Sequence, residues 1–271
     1  MWKQGFSMWT QSLRSAAPIV WLCVLASLLG IGCANSTRGA EEALRLRKAD
    51  SHFNLGIDYI RKGRVALGLR DLLLAERLDP QNPRIHHALA DAYTMRGKAV
   101  EAERYYLQTL EIEPGYHEAR LNLSILYIRL DRYEDSLSHT SILADDATFP
   151  GPWRALANKG FAEYKLGRVE QARRTLELGF DYRDDYWPTL LYLGILEVDG
   201  GRRLEGLAFF RQVLKQEPGL EIQAQANYRI GEIYIALGKR KRAIGHLRTA
   251  VVQTPGGPWG TRSEEYLKRL R

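Results

Sequence analysis

Small and large residues recur along this chain in blocks of nearly constant length. In the first block Asn54-Leu55-Gly56, Tyr59 and Gly63 spell the pattern N-x-G-x-x-Y-x-x-x-G. The small residue returns at Gly56, Ala90, Ser124, Gly160, Gly194 and Gly231, at spacings of 34, 34, 36, 34 and 37. Three residues later come Tyr59, Tyr93, Tyr127 and Tyr234, with Glu163 and Glu197 in that place in blocks four and five. Four further on stand Gly63, Gly97, Gly167, Gly201 and Gly238, with Asp131 the exception. A second segment then supplies a small residue (Gly68, Ala102, Ser136, Ala172, Gly206, Ala243). Four positions on stands a mostly large one: Leu72, Tyr106, Thr140, Leu176, Phe210, Leu247. Steps of three and four keep residues on one face of a helix, so each block predicts two helices joined at a glycine turn. Pro80, Pro114, Pro218 and Pro255 fall where the second helix must stop.

A small residue on the first helix lets the second approach closely, and the large residue fills the space beside it. One such pair cannot bury both its faces, so neighbours must stack and the ends need caps. These motifs resemble the tetratricopeptide repeat (TPR) family, whose period is about 34 residues. The resemblance implies an all-α fold: a right-handed superhelical solenoid of six helix-turn-helix repeats plus a C-terminal capping helix. The repeats are expected at 49–82, 83–116, 117–150, 153–186, 187–220 and 224–257, within a domain spanning 41–257. Residues 41–48 are expected to extend the first helix. Residues 258–271 form the cap, with Ser263 as its N-cap, two acids after it and basic residues at its end.

Upstream, residues 1–15 hold two basic and no acidic side chains, and Ala16–Gly32 is an unbroken apolar run. This is the layout of a bacterial secretory signal, assigned to residues 1–32. The run is short for a span, which needs about 20 residues. Leu29-Gly30-Ile31-Gly32-Cys33 resembles the lipobox of bacterial lipoproteins, with Gly30 where that family usually has an apolar residue. The resemblance implies cleavage before Cys33 and lipidation of its sulfur; an uncleaved anchor and plain secretion are the other readings. Ala34 stands where an Asp would signal inner-membrane retention, which implies the outer membrane, with the protein facing the periplasm. Residues 33–40 then form a short tether, reaching at most about 25 Å from Ala34 onward.

Cys23 and Cys33 are the only cysteines, so the chain beyond Cys33 can form no disulfide framework. The charge of +7 falls to 37 basic against 32 acidic residues once Lys3 and Arg14 are set aside. That modest excess, read as spread along the chain, does not point to nucleic acid. No catalytic residue, metal site, cofactor or small-molecule substrate is expected. The six histidines (His52, His86, His87, His117, His139, His246) contain no HExxH, no neighbouring thiol and no evident carboxylate pair. Gly200-Gly201 and Gly256-Gly257 lack the strand-to-helix setting of a phosphate loop. The acidic pairs Asp145-Asp146 and Asp184-Asp185 read as solvated loop carboxylates. The sequence therefore reads as that of a protein-binding module rather than an enzyme.

In the TPR family ligands lie against the first helices of the repeats. Carrying the family's groove positions over residue by residue gives Phe53, Ile57 and Ile60 in repeat one and Leu121, Ile125 and Ile128 in repeat three. Repeat four supplies Phe161 and Tyr164, repeat five Leu191, Ile195 and Val198, and repeat six Tyr228 and Ile235. Repeat two differs, with Arg84, His87, Asp91 and Thr94. So many large apolar groups imply a groove for an apolar strand or amphipathic helix, or a face closed on itself by curvature. Phe53 and Ile57 replace the Lys and Asn of the family's carboxylate clamp. The residue after each turn is basic: Arg64, Lys98, Arg132, Arg168, Arg202 and Lys239. Solvated turns explain this; a basic ridge facing anionic lipid or an acidic partner is the sharper expectation.

A lipobox followed by six such repeats resembles the type IV pilus pilotins, outer-membrane lipoproteins that help the pilus secretin assemble. Arg132-Tyr133-Glu134, Phe149-Pro150 and Asn158-Lys159-Gly160 match the R-Y-E, Y-P and N-x-G stretches of that family at comparable spacing. The resemblance covers repeats one to four and implies a secretin subunit as partner, with a role in twitching or social motility. The alternative is a scaffold for peptidoglycan or exopolysaccharide machinery.

Overall fold

The computed structural model describes residues 38–270; the leader, the lipobox and Cys33 lie outside the described residues. Every element among them is helical. The chain divides into two compact units at Arg96/Gly97, between the two helices of the second repeat. The first holds α1 (38–61), α2 (Val65–Leu78) and α3 (Pro83–Met95). The second holds α4 (Ala99–Ile112), α5 (His117–Arg129), α6 (Tyr133–Asp145), α7 (Pro152–Lys165) and α8 (Val169–Tyr182). It continues with α9 (Trp187–Asp199), α10 (Arg203–Lys215), α11 (Leu220–Ala236), α12 (Arg240–Gln253) and α13 (Pro258–Arg269).

The small-against-large rule is the packing that holds each hairpin. A methyl group built on Gly160 would stand 2.6 Å from Leu176, and one on Gly231 2.8 Å from Leu247. On Gly194 it would meet the Phe210 ring at 2.8 Å, and in the first unit one on Gly56 would meet Leu72 at 2.8 Å. These glycines give their partners the space a side chain would take. Leu72, Leu176, Phe210 and Leu247 are fully buried in consequence.

The turns share one geometry. Gly63, Gly167, Gly201 and Gly238 have φ between +70° and +84°, and Asp131 takes the same left-handed conformation at +57°. In each, the amide of this residue bonds back to the third residue before it, and the next amide to the fifth before it. Examples are Gly167 N to Tyr164 O at 3.0 Å and Arg168 N to Glu163 O at 2.9 Å. These two bonds satisfy carbonyls the ending helix would leave open. The following residue is at once the second residue past the C-cap of one helix and the N-cap of the next.

Three boundaries differ from the sequence reading. Residues 38–40 are already helical, so α1 takes up the end of the expected tether. Helix α11 begins at Leu220, ahead of the expected 224, because Pro218-Gly219 allows an early start. Ser263 is not an N-cap. Helix α13 starts at Pro258 behind Gly257, with proline in the first turn where its missing amide costs nothing. Ser263 is buried inside that helix, its hydroxyl without a hydrogen-bond partner.

The longer link from α6 to α7 is built on Asp146. Its carboxylate accepts from the Thr148 amide (2.8 Å) and hydroxyl (2.6 Å), and lies 2.8 Å from His117 Nε2 at the start of α5. The Thr148 bonds first, then His117, hold the Asp146 carboxyl at about 2, below the ordinary value. The link thereby places Phe149 in the core beside Leu121, Leu143 and Ala155, its ring edge-on to His117.

Candidate functional site

The first helices of the second unit's later repeats, α5, α7, α9 and α11, carry the residues assigned to the groove. Their burial separates them. Leu121, Leu191 and Ile195 lie in the core, 1%, 3% and 7% exposed, and cannot meet a partner without unfolding the unit. Ile125, Ile128, Phe161, Tyr164, Val198, Tyr228 and Ile235 are partly exposed. In the first unit Phe53, Ile57 and Ile60 are partly exposed too. Two of the assigned residues serve the hairpin instead. Val198 sits over Gly206 and Ile60 over Gly68, each 2.5 Å from where a methyl on that glycine would be. Leu121, Leu191 and Ile195 are therefore corrections to the open groove, taken up by the core clusters they join, while at Ile60 and Val198 the glycine opposite draws the side chain onto the second helix.

Besides Val198, the assigned residues that stay partly exposed in the second unit are three isoleucines (Ile125, Ile128, Ile235) and three aromatic residues (Phe161, Tyr164, Tyr228), and the aromatic ones draw in further rings. Phe161 stacks on Tyr192 of the next repeat, centroids 4.3 Å apart and planes at 19°. Tyr133 meets Phe161 edge-on at 6.4 Å, and Tyr164 lies beside it at 6.3 Å. The Tyr164 hydroxyl donates to Asp199, and the Tyr133 hydroxyl to Asp131. Burial, then those bonds, pushes both phenols up to about 12, so they are neutral donors at physiological pH. Tyr133 and Tyr164 thus keep hydrogen-bonded outer edges while their rings pack on Phe161, as residues of protein recognition sites do, and the Tyr192 phenol is pushed up by burial. Tyr133 and Tyr192 are not among the groove residues expected from sequence. Tyr192 stands two before the small Gly194, where repeats one, three and four carry asparagine; that substitution is the signal available. Tyr228 is covered by the terminal helix, meeting Trp259 at 5.5 Å and Tyr266 at 6.4 Å.

The basic ridge is not a uniform row of free cations. Arg132 grips Glu103 of the preceding repeat through two bonds of 2.8 Å and binds Asp135 at 2.7 Å. Arg168 binds Glu134 of the preceding repeat at 2.7 Å, and Arg202 binds Glu197. The exposed lysines at the same position in this unit, Lys98 and Lys239, and Arg64 in the first unit, make no such bond among the described residues. Arginine's planar fork suits a carboxylate on a neighbouring repeat, so in repeats three and four the basic residue ties the hairpins together, while Arg202 closes the turn of its own hairpin.

Three histidines have carboxylate partners that sequence spacing does not reveal: His52 lies 3.1 Å from Asp71, His86 3.9 Å from Glu76, and His117 stands on Asp146. All three bridge neighbouring helices. No cluster of metal-ligating side chains occurs among the described residues. Charge is also less even than composition implies. Residues 38–220 carry 27 basic and 28 acidic side chains, whereas 221–271 carry ten against four.

Two family models described as tetratricopeptide repeat match the chain, one over 53–117 and 191–258 and the other over 153–177, together more than half of it. No curated protein sequence matches. Among solved structures the fold is similar to PilW, a widely conserved type IV pilus biogenesis factor, at 21% identity and a TM-score of 0.67. That match covers 79% of this chain and 97% of PilW. It is similar to pilF of Pseudomonas aeruginosa at 16% identity and 0.66, covering 82% and 99%. A tetratricopeptide repeat protein of Parabacteroides merdae matches at 22% and 0.66, covering 81% and 83%.

Proposed function

The chain belongs to the tetratricopeptide repeat family, and from that premise we propose that it is a non-enzymatic holder of a protein segment, tethered at the outer membrane. The observation that carries the holding role is the aromatic surface of Tyr133, Phe161, Tyr164 and Tyr192, which links successive repeats with partly exposed rings. A flanking strand or helix of a partner would cover these rings and leave the tyrosine hydroxyls at its edge. The lipobox at Cys33 supports the place of work, with acyl chains holding the protein at the membrane surface.

The partner in this reading is a subunit of the type IV pilus secretin, shielded until its neighbours bury the same apolar segment. Support comes from the pilotin-like stretches in repeats three and four and from the likeness in fold to PilW and pilF over nearly their whole length. Arg132-Tyr133-Glu134 gains a physical sense here: Arg132 and Glu134 tie repeats together while Tyr133 joins the rings.

A photo-activatable cross-linker at Phe161 in the native cell tests the reading. Capture of the secretin is the expected outcome, and a Cys33→Ser form should lose membrane association. Capture of peptidoglycan or polysaccharide synthesis proteins instead would transfer the role to the cell-envelope scaffold.

A further inference from the structure

The last repeat of the second unit breaks a rule that the second helices of the unit's earlier repeats keep. Helices α4, α6, α8 and α10 each carry an acidic residue in the first turn, where the helix dipole favours one. Helix α12 has none; Lys239 is its N-cap and Arg240-Lys241-Arg242 opens it. Four cations thus crowd the positive end of this helix, each opposing the dipole. Among the described residues no carboxylate pairs with them. Upstream, Arg132, Arg154, Arg168, Arg173 and Arg202 all bind carboxylates. From Lys239 to Arg269 no lysine or arginine does so among the described residues, although Arg242 and Arg262 lie over aromatic rings.

One of these cations, Arg240, lines a concavity together with Arg269. A cleft of about 430 Å³ opens between the start of α12 and the end of α13, lined by Ile235, Gly238, Arg240, Arg269 and Leu270. Its lining combines two apolar side chains, Ile235 and Leu270, with two arginines, whose guanidinium groups favour planar, bidentate carboxylate recognition. A local arrangement that weakens a helix without internal compensation marks a site whose compensation comes from outside.

We propose that this terminal cleft binds an acidic segment of a protein partner, one apolar side chain entering between Arg240 and Arg269 while flanking carboxylates meet the guanidinium groups and the α12 cations. A bilayer is the poorer fit. Surfaces that enter the headgroup region pair cations with protruding apolar side chains. In residues 221–270 the one large apolar side chain that stands well exposed is Val252, near the other end of α12, while Ile235 and Leu270 are recessed. The site shares no residue with the Phe161 rings or with the lipobox, so it stands or falls separately from the function proposed above.

The test uses the full chain in detergent, a fluorescent short peptide of Glu, Asp and Leu, its counterpart with Gln and Asn in place of the acids, and vesicles with and without anionic lipid. The acidic peptide should bind, weaken steeply with salt, and bind about tenfold or more weakly to Arg240→Glu/Arg269→Glu. Arg240→Glu alone should raise the melting temperature while reducing binding, because an acid suits a helix start. That opposition separates lost recognition from lost folding. Equal binding by the double variant, equal binding of the neutral peptide, or retention on anionic vesicles without peptide binding would each overturn the proposal.

Discussion

Glu163 and Glu197 occupy the place where the other repeats have tyrosine, and the two have opposite fates. Glu197 is nearly buried, and Arg173 and Arg202 take its two oxygens. Glu163 is fully buried, and neither of its oxygens has a hydrogen-bond partner. The residue 24 positions earlier explains the contrast. It is Arg173 for Glu197 but His139 for Glu163, and burial lowers the pKa of His139, so it supplies no counter-charge at neutral pH. A buried carboxylate without a partner costs stability, and a paired one leaves its arginine stranded if removed. Glu163→Gln should therefore raise stability at pH 7 by about 1–3 kcal/mol, and Glu197→Gln should lower it by about 1–2 kcal/mol. Denaturant midpoints that moved the same way for both would refute the distinction. Asp146 makes a pH prediction. Its folded pKa is depressed to about 2, so its contribution is present above the ordinary carboxyl value and fades as pH falls toward 2. Melting curves of Asp146→Asn should converge on the parent near pH 2 and fall below it above pH 4.

Helix pairs add what no single residue shows: their contacts are reciprocal. Phe210 of α10 lies over Gly194 of α9, while Val198 of α9 lies over Gly206 of α10. Each helix gives the other its gap. Gly194→Ala would push a methyl to 2.8 Å from a fully buried ring, and nearby Val198 leaves the helices little room to part. The expected cost is about 1–3 kcal/mol, read from the urea midpoint; an unchanged midpoint would show that α9 and α10 separate freely. This level of structure is legible in the sequence, because the small and large positions are imposed within a single hairpin. The burial of Leu121, Leu191 and Ile195 is not, since it depends on residues of other hairpins that no local pattern names. The role of the ridge arginines is hidden for the same reason. Glu103 lies 29 residues before Arg132, and Glu134 lies 34 before Arg168.

At the scale of the chain, the two compact units differ from any division drawn from the repeat pattern, because the boundary at Arg96/Gly97 passes inside the second repeat. Periodicity finds the hairpins but carries no information on how firmly consecutive helices adhere. Total charge misleads in a similar way: a balanced stretch over 38–220 and a basic end over 221–271 average to a mild excess.

The turn in which one residue both finishes a helix and begins the next has a further consequence. From the small residue of the first helix to that of the second the count is 12 in all six repeats, while the repeats themselves are spaced by 34, 36 or 37. The extra residues lie outside that twelve-residue step: the link from α6 to α7 is lengthened, and α11 starts early at Leu220. The step is the standard part, and one link and one helix start are the adjusting screws. A change in how neighbouring hairpins are spaced would be written there, away from the turns.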